Sequence, residues 1–229
     1  MPLRWNQLFG KMGNKMKEIR DEYFANFVSK FGEATSTVTV PNSSIKKWRE
    51  ALPSQLLHYW ETEGWNTYHH GLISIVYPDD YENIIDIWLK DTFLKERDSY
   101  HVIARSGFGS LYVCGEKSGR NIIVDCYNHS IYFSKNNSSL KSTDELNLDI
   151  KVFFGISKFK RFDLEYQDGK YLFELATRKC GQLNSDEIFG FEPALILGGR
   201  ADISHVIKVN IQAHLTLLRE FAQPTIYEL

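Results

Sequence analysis

The sequence lacks several features that would assign a function class directly. Its three cysteines, Cys114, Cys126 and Cys180, are odd in number and have no CxxC spacing, which argues against a zinc site or a disulfide framework. Lys and Arg number 27 against 29 Asp and Glu, so this balance gives no general attraction to nucleic acid. No secretion signal is visible, and no apolar run approaches the roughly 20 residues that span a bilayer. These absences predict a cytoplasmic protein without membrane contact.

Recognisable catalytic motifs are also missing. No GxSxG elbow is present, and no serine or cysteine lies in a nucleophile motif. Residues 107–110 resemble a phosphate loop, but a strand and not a helix is predicted after them, which favours a tight β-turn. His58 and Glu61, with His69 and His70 nearby, could supply metal ligands, yet they do not form HExxH. We therefore expect no enzymatic activity, no metal and no cofactor.

What is present is ample core material in a mixed pattern. Hydrophobic residues make up 43% and aromatic residues 14% of the 229, as in an ordinary folded protein. Helical spacing of apolar residues predicts helices at 16–31, 45–52, 53–64, 81–89, 146–155, 171–179 and 211–221. Asp79 or Asp80 is the predicted cap of the helix at 81–89.

Extended segments are predicted between these helices, at 72–77, 100–104, 111–114, 121–125, 130–133, 159–166, 188–197 and 206–209. Helices and strands come in blocks and do not alternate strictly, which predicts an α+β fold. The polar run at 136–139 is the best linker candidate, so we expect two packed parts. The sheet that carries Tyr112, Tyr127, Tyr132 and Phe133 is expected to join them.

Two groups of motifs resemble a known pair of domains. The first group consists of LPSQLLHYWETEGW (52–65), GL (71–72), PDDY (78–81) and RSGFGSLY (105–112). The second group is DEIFGF (186–191), PAL (193–195), LGG (197–199) and HL (214–215). They resemble the GAD-like domain followed by the C-terminal domain of type VI secretion immunity proteins. The resemblance implies a GAD-like domain at 16–135 and the immunity domain at 140–229, after a basic extension at 1–15.

The resemblance also implies a function. Such proteins are non-enzymatic antitoxins that bind and silence a cognate type VI effector, commonly a DNase, by stoichiometric protein–protein inhibition. A nuclease has a basic substrate groove, so exposed carboxylates are the expected contacts. The candidate toxin-binding residues are Glu61, Glu63, Asp79, Asp80, Glu82, Asp186 and Glu187. Each of them also fits a helix cap or a solvated surface charge.

Two other function classes remain open at this stage. A regulatory module for a small ligand or a nucleic acid would need a basic cleft. Its residues would come from the locally basic stretch that contains Lys158, Lys160, Arg161, Lys170, Arg178 and Lys179. A hydrolase has no motif in its favour.

Overall fold

The computed structural model describes residues 20–134, 140–166 and 169–229. The predicted basic extension at 1–15 and the predicted linker at 136–139 lie outside these ranges. Seven α-helices and eleven strands occur in the described ranges, in blocks, and the predicted α+β class is confirmed. We call residues 20–134 the first part and residues 140–229 the second part.

Helices of the first part form where apolar side chains recur at helical spacing. The carboxylate of Asp21 accepts the Phe24 N–H at 2.9 Å at the start of α1 (Glu22–Phe31), and Gly32, with φ of 81°, ends the helix. The next helices are α2 (Asn42–Trp48), α3 (Ser54–Thr62) and α4 (Glu82–Leu89).

The predicted cap of α4 is wrong. Asp79 and Asp80 belong to a 3₁₀ turn, Pro78–Tyr81, that precedes the helix, and no side chain caps α4. The apolar face of α4 is as predicted, because Ile84, Ile85, Trp88 and Leu89 are all buried. The 3₁₀ turn leaves the two carboxylates beside the helix start and free for other contacts.

One seven-stranded sheet organises the fold. Its strands are β1 (Thr67–Tyr68), β2 (Ile73–Ile75), β3 (Tyr100–Ser106), β4 (Ser110–Gly115), β5 (Gly119–Asp125), β6 (Ser130–Phe133) and β11 (Thr225–Glu228). The order is β1-β2-β3-β4-β5-β6-β11, antiparallel throughout except that β11 runs parallel to β6. Strand β11, which was not predicted, belongs to the second part, so the second part completes the sheet of the first.

The rest of the second part is mixed. Its elements are α5 (Thr143–Gly155), β7 (Glu165–Tyr166), β8 (Lys170–Tyr171), α6 (Leu172–Cys180), β9 (Glu187–Phe191), β10 (Val206–Asn210) and α7 (Ile211–Phe221). Strand pairs β7–β8 and β9–β10 are both antiparallel. Of the predicted extended segment 159–166, only the end is a strand, because a 3₁₀ turn occupies Phe159–Arg161.

Both faces of the large sheet are buried. Along β4, Tyr112 and Cys114 pack in one hydrophobic cluster, while Leu111 and Val113 pack in the other, as the alternation of a strand requires. The first cluster holds α1 and α5, and the second holds α4 and α7. Helices from the two parts therefore meet on each side of the same sheet.

The turn between β3 and β4 lies directly against the second part. The Gly107 carbonyl accepts the Phe189 N–H at 2.8 Å. A Cβ atom at Gly107 would lie 2.3 Å from the Phe173 ring, and one at Gly109, where φ is +81°, would lie 2.8 Å from the Ile188 side chain. Both distances are too short for any other residue without displacement. The turn predicted at 107–110 is confirmed. Its glycines leave the space that Phe173 and Ile188 of the second part occupy.

A buried ion pair stabilises the first part. Arg20 Nε lies 2.7 Å from Glu63 Oε1, and the two side chains are 7% and 3% exposed. Arg20 also contacts Glu33, whose side chain is 59% exposed. Hydrogen bonds to Glu63 and then Glu33 raise the pKa of Arg20 above its ordinary value, although burial opposes them. The guanidinium is therefore held charged.

Asp163 caps α6 from the preceding loop. Its Oδ1 accepts the N–H of Leu164 at 2.7 Å and that of Phe173 at 2.9 Å. Burial raises the pKa of Asp163 to about 6, although these backbone hydrogen bonds oppose the rise. An unfolded aspartate titrates near pH 4, so the folded protein binds this proton more tightly than the unfolded chain does.

We expect Glu63→Gln to destabilise the protein. The change leaves a buried guanidinium with only the exposed Glu33 as counter-charge, which should lower the free energy of unfolding by about 2–3 kcal/mol. Urea denaturation at pH 7 measures this loss. Glu174→Gln is the matched control, because it breaks an ion pair with Arg178 that is about 70% exposed, and the expected loss is below about 0.5 kcal/mol. Equal losses in the two variants would contradict a structural role for the Arg20–Glu63 pair.

We expect Asp163→Asn to change how stability depends on pH. In the wild type, the contribution of Asp163 is fully present below about pH 4 and is lost as pH rises through about 6. The amide keeps an acceptor for the cap and cannot ionise. The variant should therefore be more stable than the wild type at pH 7.5, by about 1 kcal/mol after allowance for screening, and similar to it at pH 4.5.

Urea denaturation at several pH values between 4.5 and 7.5 measures the difference. Asp91→Asn, at an exposed aspartate, is the control and should leave the pH dependence of the wild type unchanged. Parallel pH curves for the wild type and Asp163→Asn would show that Asp163 titrates normally in the folded protein.

Candidate functional site

The structure brings two groups of the predicted acids to the start of α7. The backbone carbonyl of Asp80 accepts a hydrogen bond from the Gln212 amide in the first turn of that helix. The backbone carbonyl of Asp186 accepts the Ile211 N–H at 2.9 Å, and its carboxylate accepts the Asn210 amide at 3.2 Å. Asp79 and Glu187 are their sequence neighbours. We call Asp79, Asp80, Asp186 and Glu187 the acidic surface.

Two members of the acidic surface already have counter-charges. Asp79 accepts from Lys47 at 2.5 Å and from the Tyr77 hydroxyl at 2.7 Å. Burial alone would raise the pKa of Asp79, but these two hydrogen bonds lower it below its ordinary value. Glu187 accepts the backbone N–H of Asn184 at 2.9 Å and contacts Lys208 at 3.2 Å. The Asn184 N–H is the main cause of its lowered pKa.

The other two members carry charge without a cationic partner among the described residues. Asp80 is exposed, yet partial burial and then the neighbouring Asp79 charge raise its pKa. Asp186 is exposed at the α7 N-terminus, where the helix dipole favours a negative charge. Asp80 and Asp186 are therefore the acids most available to an external cation.

The remaining predicted contacts differ in exposure. Glu61 is exposed on α3. Glu82 is exposed in the first turn of α4, two residues after Asp80 in the sequence. Glu63 was expected to be exposed and is only 5% exposed, because its carboxylate pairs with Arg20. The sequence gives no sign of this pairing, since Arg20 and Glu63 lie 43 residues apart. Glu63 is a structural residue in this fold.

The residues proposed for a basic cleft have contacts within the chain. Lys179 Nζ donates to the carbonyls of Ile203, Ser204 and Val206, at 2.8–3.0 Å. Arg178 pairs with Glu174, and the Arg161 guanidinium lies 5.7 Å from the centre of the Phe153 ring. Half of the six basic residues thus serve internal contacts, which leaves no specific support for a nucleic-acid cleft built from them.

The described ranges hold no group of side chains suited to a metal ion, and two of the three cysteines are buried. Within residues 20–134, 140–166 and 169–229, no three His, Cys, Asp or Glu side chains could hold a metal together. Cys114 and Cys126 are fully buried, and burial raises the pKa of Cys114 to about 12. A cavity of about 490 Å³ beside α6 contains Asp163, but that carboxylate accepts backbone N–H groups as a cap.

No helix of the described ranges is long and apolar enough to cross a bilayer.

Two known protein families match the sequence. The GAD-like domain matches residues 22–128, and the C-terminal domain of the T6SS immunity protein Tdi1 matches residues 148–222. No curated protein matches the chain.

A solved structure is similar in fold. The crystal structure of Atu4351 from Agrobacterium tumefaciens superposes with a TM-score of 0.75, covering 90% of this chain and 92% of that chain. The two sequences are 18% identical, so the likeness concerns the fold alone. The two domain matches occur in the expected order and together cover most of the residues. The chain therefore consists of a GAD-like domain followed by the C-terminal domain of a Tdi1-type T6SS immunity protein.

Proposed function

We propose that this protein is a non-catalytic, cytoplasmic antitoxin that silences a cognate type VI effector by stoichiometric binding, and that the effector is a DNA-degrading nuclease. The observation that carries the proposal is the match of residues 148–222 to the C-terminal domain of the immunity protein Tdi1. The proposed activity is stoichiometric binding, which needs a complementary surface and no catalytic group.

Electrostatics supports a nuclease as the partner. A DNA-degrading enzyme neutralises backbone phosphates with Lys and Arg, so its substrate groove is basic. The acidic surface offers two carboxylates, Asp80 and Asp186, that form no ion pair with any Lys or Arg of the described residues. A cation of the effector placed beside Asp80 would favour its ionised form, which the fold itself disfavours. Complementary charge of this kind speeds association and selects the partner.

Co-expression tests the antitoxin role. The neighbouring effector gene is expressed in a test bacterium with and without this chain, and the two proteins are then co-purified. Rescue of growth together with a stable complex is the expected result, and DNA integrity in the unprotected cells reports whether the effector is a nuclease. Persistent toxicity without a complex would contradict the proposed pairing, whereas rescue with intact DNA in unprotected cells would contradict only the nuclease assignment.

We expect the double variant Asp80→Asn/Asp186→Asn to bind the effector about tenfold more weakly, because two unpaired carboxylates lose their charge. The deficit should shrink at high salt, where exposed charges are screened. Titration calorimetry at low and high salt measures both effects. Asp80→Asn should not destabilise the protein at pH 7, since the fold raises the pKa of this carboxyl.

Glu96→Gln/Glu220→Gln is the matched control, because it removes the same charge from two exposed glutamates outside the acidic surface. Equal affinity losses in the two double variants would show that net charge matters and the position of the acids does not. Full affinity in Asp80→Asn/Asp186→Asn would remove the acidic surface from the interface.

A further inference from the structure

Two crevices meet at Arg105, between the first sheet strands and the segment before β9. One has a volume of about 310 Å³ and the other about 180 Å³. Four residues line both of them: Ser36, Thr67, Arg105 and Ser185. We call the larger space the Arg105 crevice. Residues from both parts of the chain form it, since Ser185 belongs to the second part and the others to the first.

Arg105 is a buried cation without a counter-charge. Its side chain belongs to β3 and the residue is only 3% exposed. Nη2 donates to the Ser185 carbonyl at 3.0 Å, but Nη1 has no hydrogen-bond partner among the described residues. No carboxylate in the described part of the chain forms an ion pair with it. Burying an unpaired charge is unfavourable, and native proteins normally satisfy such groups.

Tyr81, an ionisable neighbour of Arg105, does not supply the missing charge. Burial raises the pKa of the Tyr81 hydroxyl, and the Arg105 charge opposes that rise only in part. Tyr81 is therefore a neutral phenol at physiological pH. Asp80 lines only the smaller crevice. No carboxylate lines the Arg105 crevice, so the positive charge of Arg105 is not balanced there.

The lining of the Arg105 crevice indicates what the ligand would be. Apart from Arg105, it consists of uncharged polar groups, one histidine, one leucine and one glycine: Thr35, Ser36, Thr67, His70, Gly71, Gln182, Leu183, Asn184 and Ser185. A planar guanidinium matches a carboxylate, and hydroxyl and amide groups can donate to its second oxygen. The single positive charge of Arg105 balances a ligand group that carries one negative charge, such as a carboxylate, and not a group that carries two.

We propose that the Arg105 crevice is a binding site for a carboxylate group, which accepts a hydrogen bond from Arg105 Nη1 and supplies the missing counter-charge. The carboxylate comes either from an acidic side chain of a partner protein or from a small free carboxylate. No residue of the acidic surface lines the Arg105 crevice, and the proposal does not depend on whether the effector is a nuclease. Because both parts of the chain line it, an occupied site would also stabilise their junction.

An acetate titration tests the site. Acetate replaces chloride at constant ionic strength, and Tm is recorded for the wild type, Arg105→Met and the control Arg97→Met. Arg97 is an exposed arginine that stacks on Phe93. The wild type and the control should gain about 2–4 °C, in a saturable manner, when acetate reaches about five times its dissociation constant. Arg105→Met should show no gain.

Two results would overturn the proposal: no saturable response in the wild type, or an equal response in Arg105→Met. If Arg105→Met does not fold, the side-chain Nε–H resonance of Arg105 in the wild type decides. A saturable shift with acetate supports the site, and an unchanged resonance rejects it.

A second arm identifies the source of the carboxylate. Once acetate binding is established, effector affinity is compared between the wild type, Arg105→Met and Arg97→Met. A loss of about tenfold or more confined to Arg105→Met, with acetate competing against the effector in the wild type, assigns the carboxylate to the partner protein. Unchanged affinity assigns the site to a free small carboxylate.

Discussion

The close approach at the β3–β4 turn is the constraint on which the rest of the structure depends. A Cβ atom at Gly107 or Gly109 would collide with Phe173 or Ile188, both from the second part. Phe108, between the two glycines, reaches the rings of Phe173, Phe189 and Phe191 at centroid distances of about 6 Å. The glycines allow backbone contact, and the phenylalanine fills the space beside it. The turn therefore fixes where β9 and α6 sit against the sheet.

The two parts are consequently interdependent. The end of α5 is held by α1, because Asn26 and Lys30 both donate to the Gly155 carbonyl. On the other face of the sheet, the Trp88 indole donates to the Leu215 carbonyl of α7. The two parts match separate families, yet their side chains pack together on both faces of one sheet. The acidic surface and the Arg105 crevice both lie where the parts meet, so the geometry of each depends on how they are docked.

Local pattern predicts much of this fold because helices and strands bury one face at a characteristic spacing. The helix at 211–221 and the strand at 130–133 agree with the structure at both ends. Strand β11 was missed because it is short and depends on a parallel partner that precedes it by about 90 residues. The burial of Glu63 and the isolation of Arg105 were missed for a related reason. Both arise from neighbours that are distant in sequence.

The parallel pairing of β11 with β6 has a consequence for how the protein is made. Ribosomes add about 5–20 residues per second, so the roughly 90 residues between the two strands take about 5–18 s to emerge. During that interval β6 has an open edge, and unpaired edges recruit strands from other chains. Nascent copies on one polysome would then be exposed to one another. Once it has been synthesised, strand β11 therefore closes the edge at which neighbouring nascent chains could aggregate.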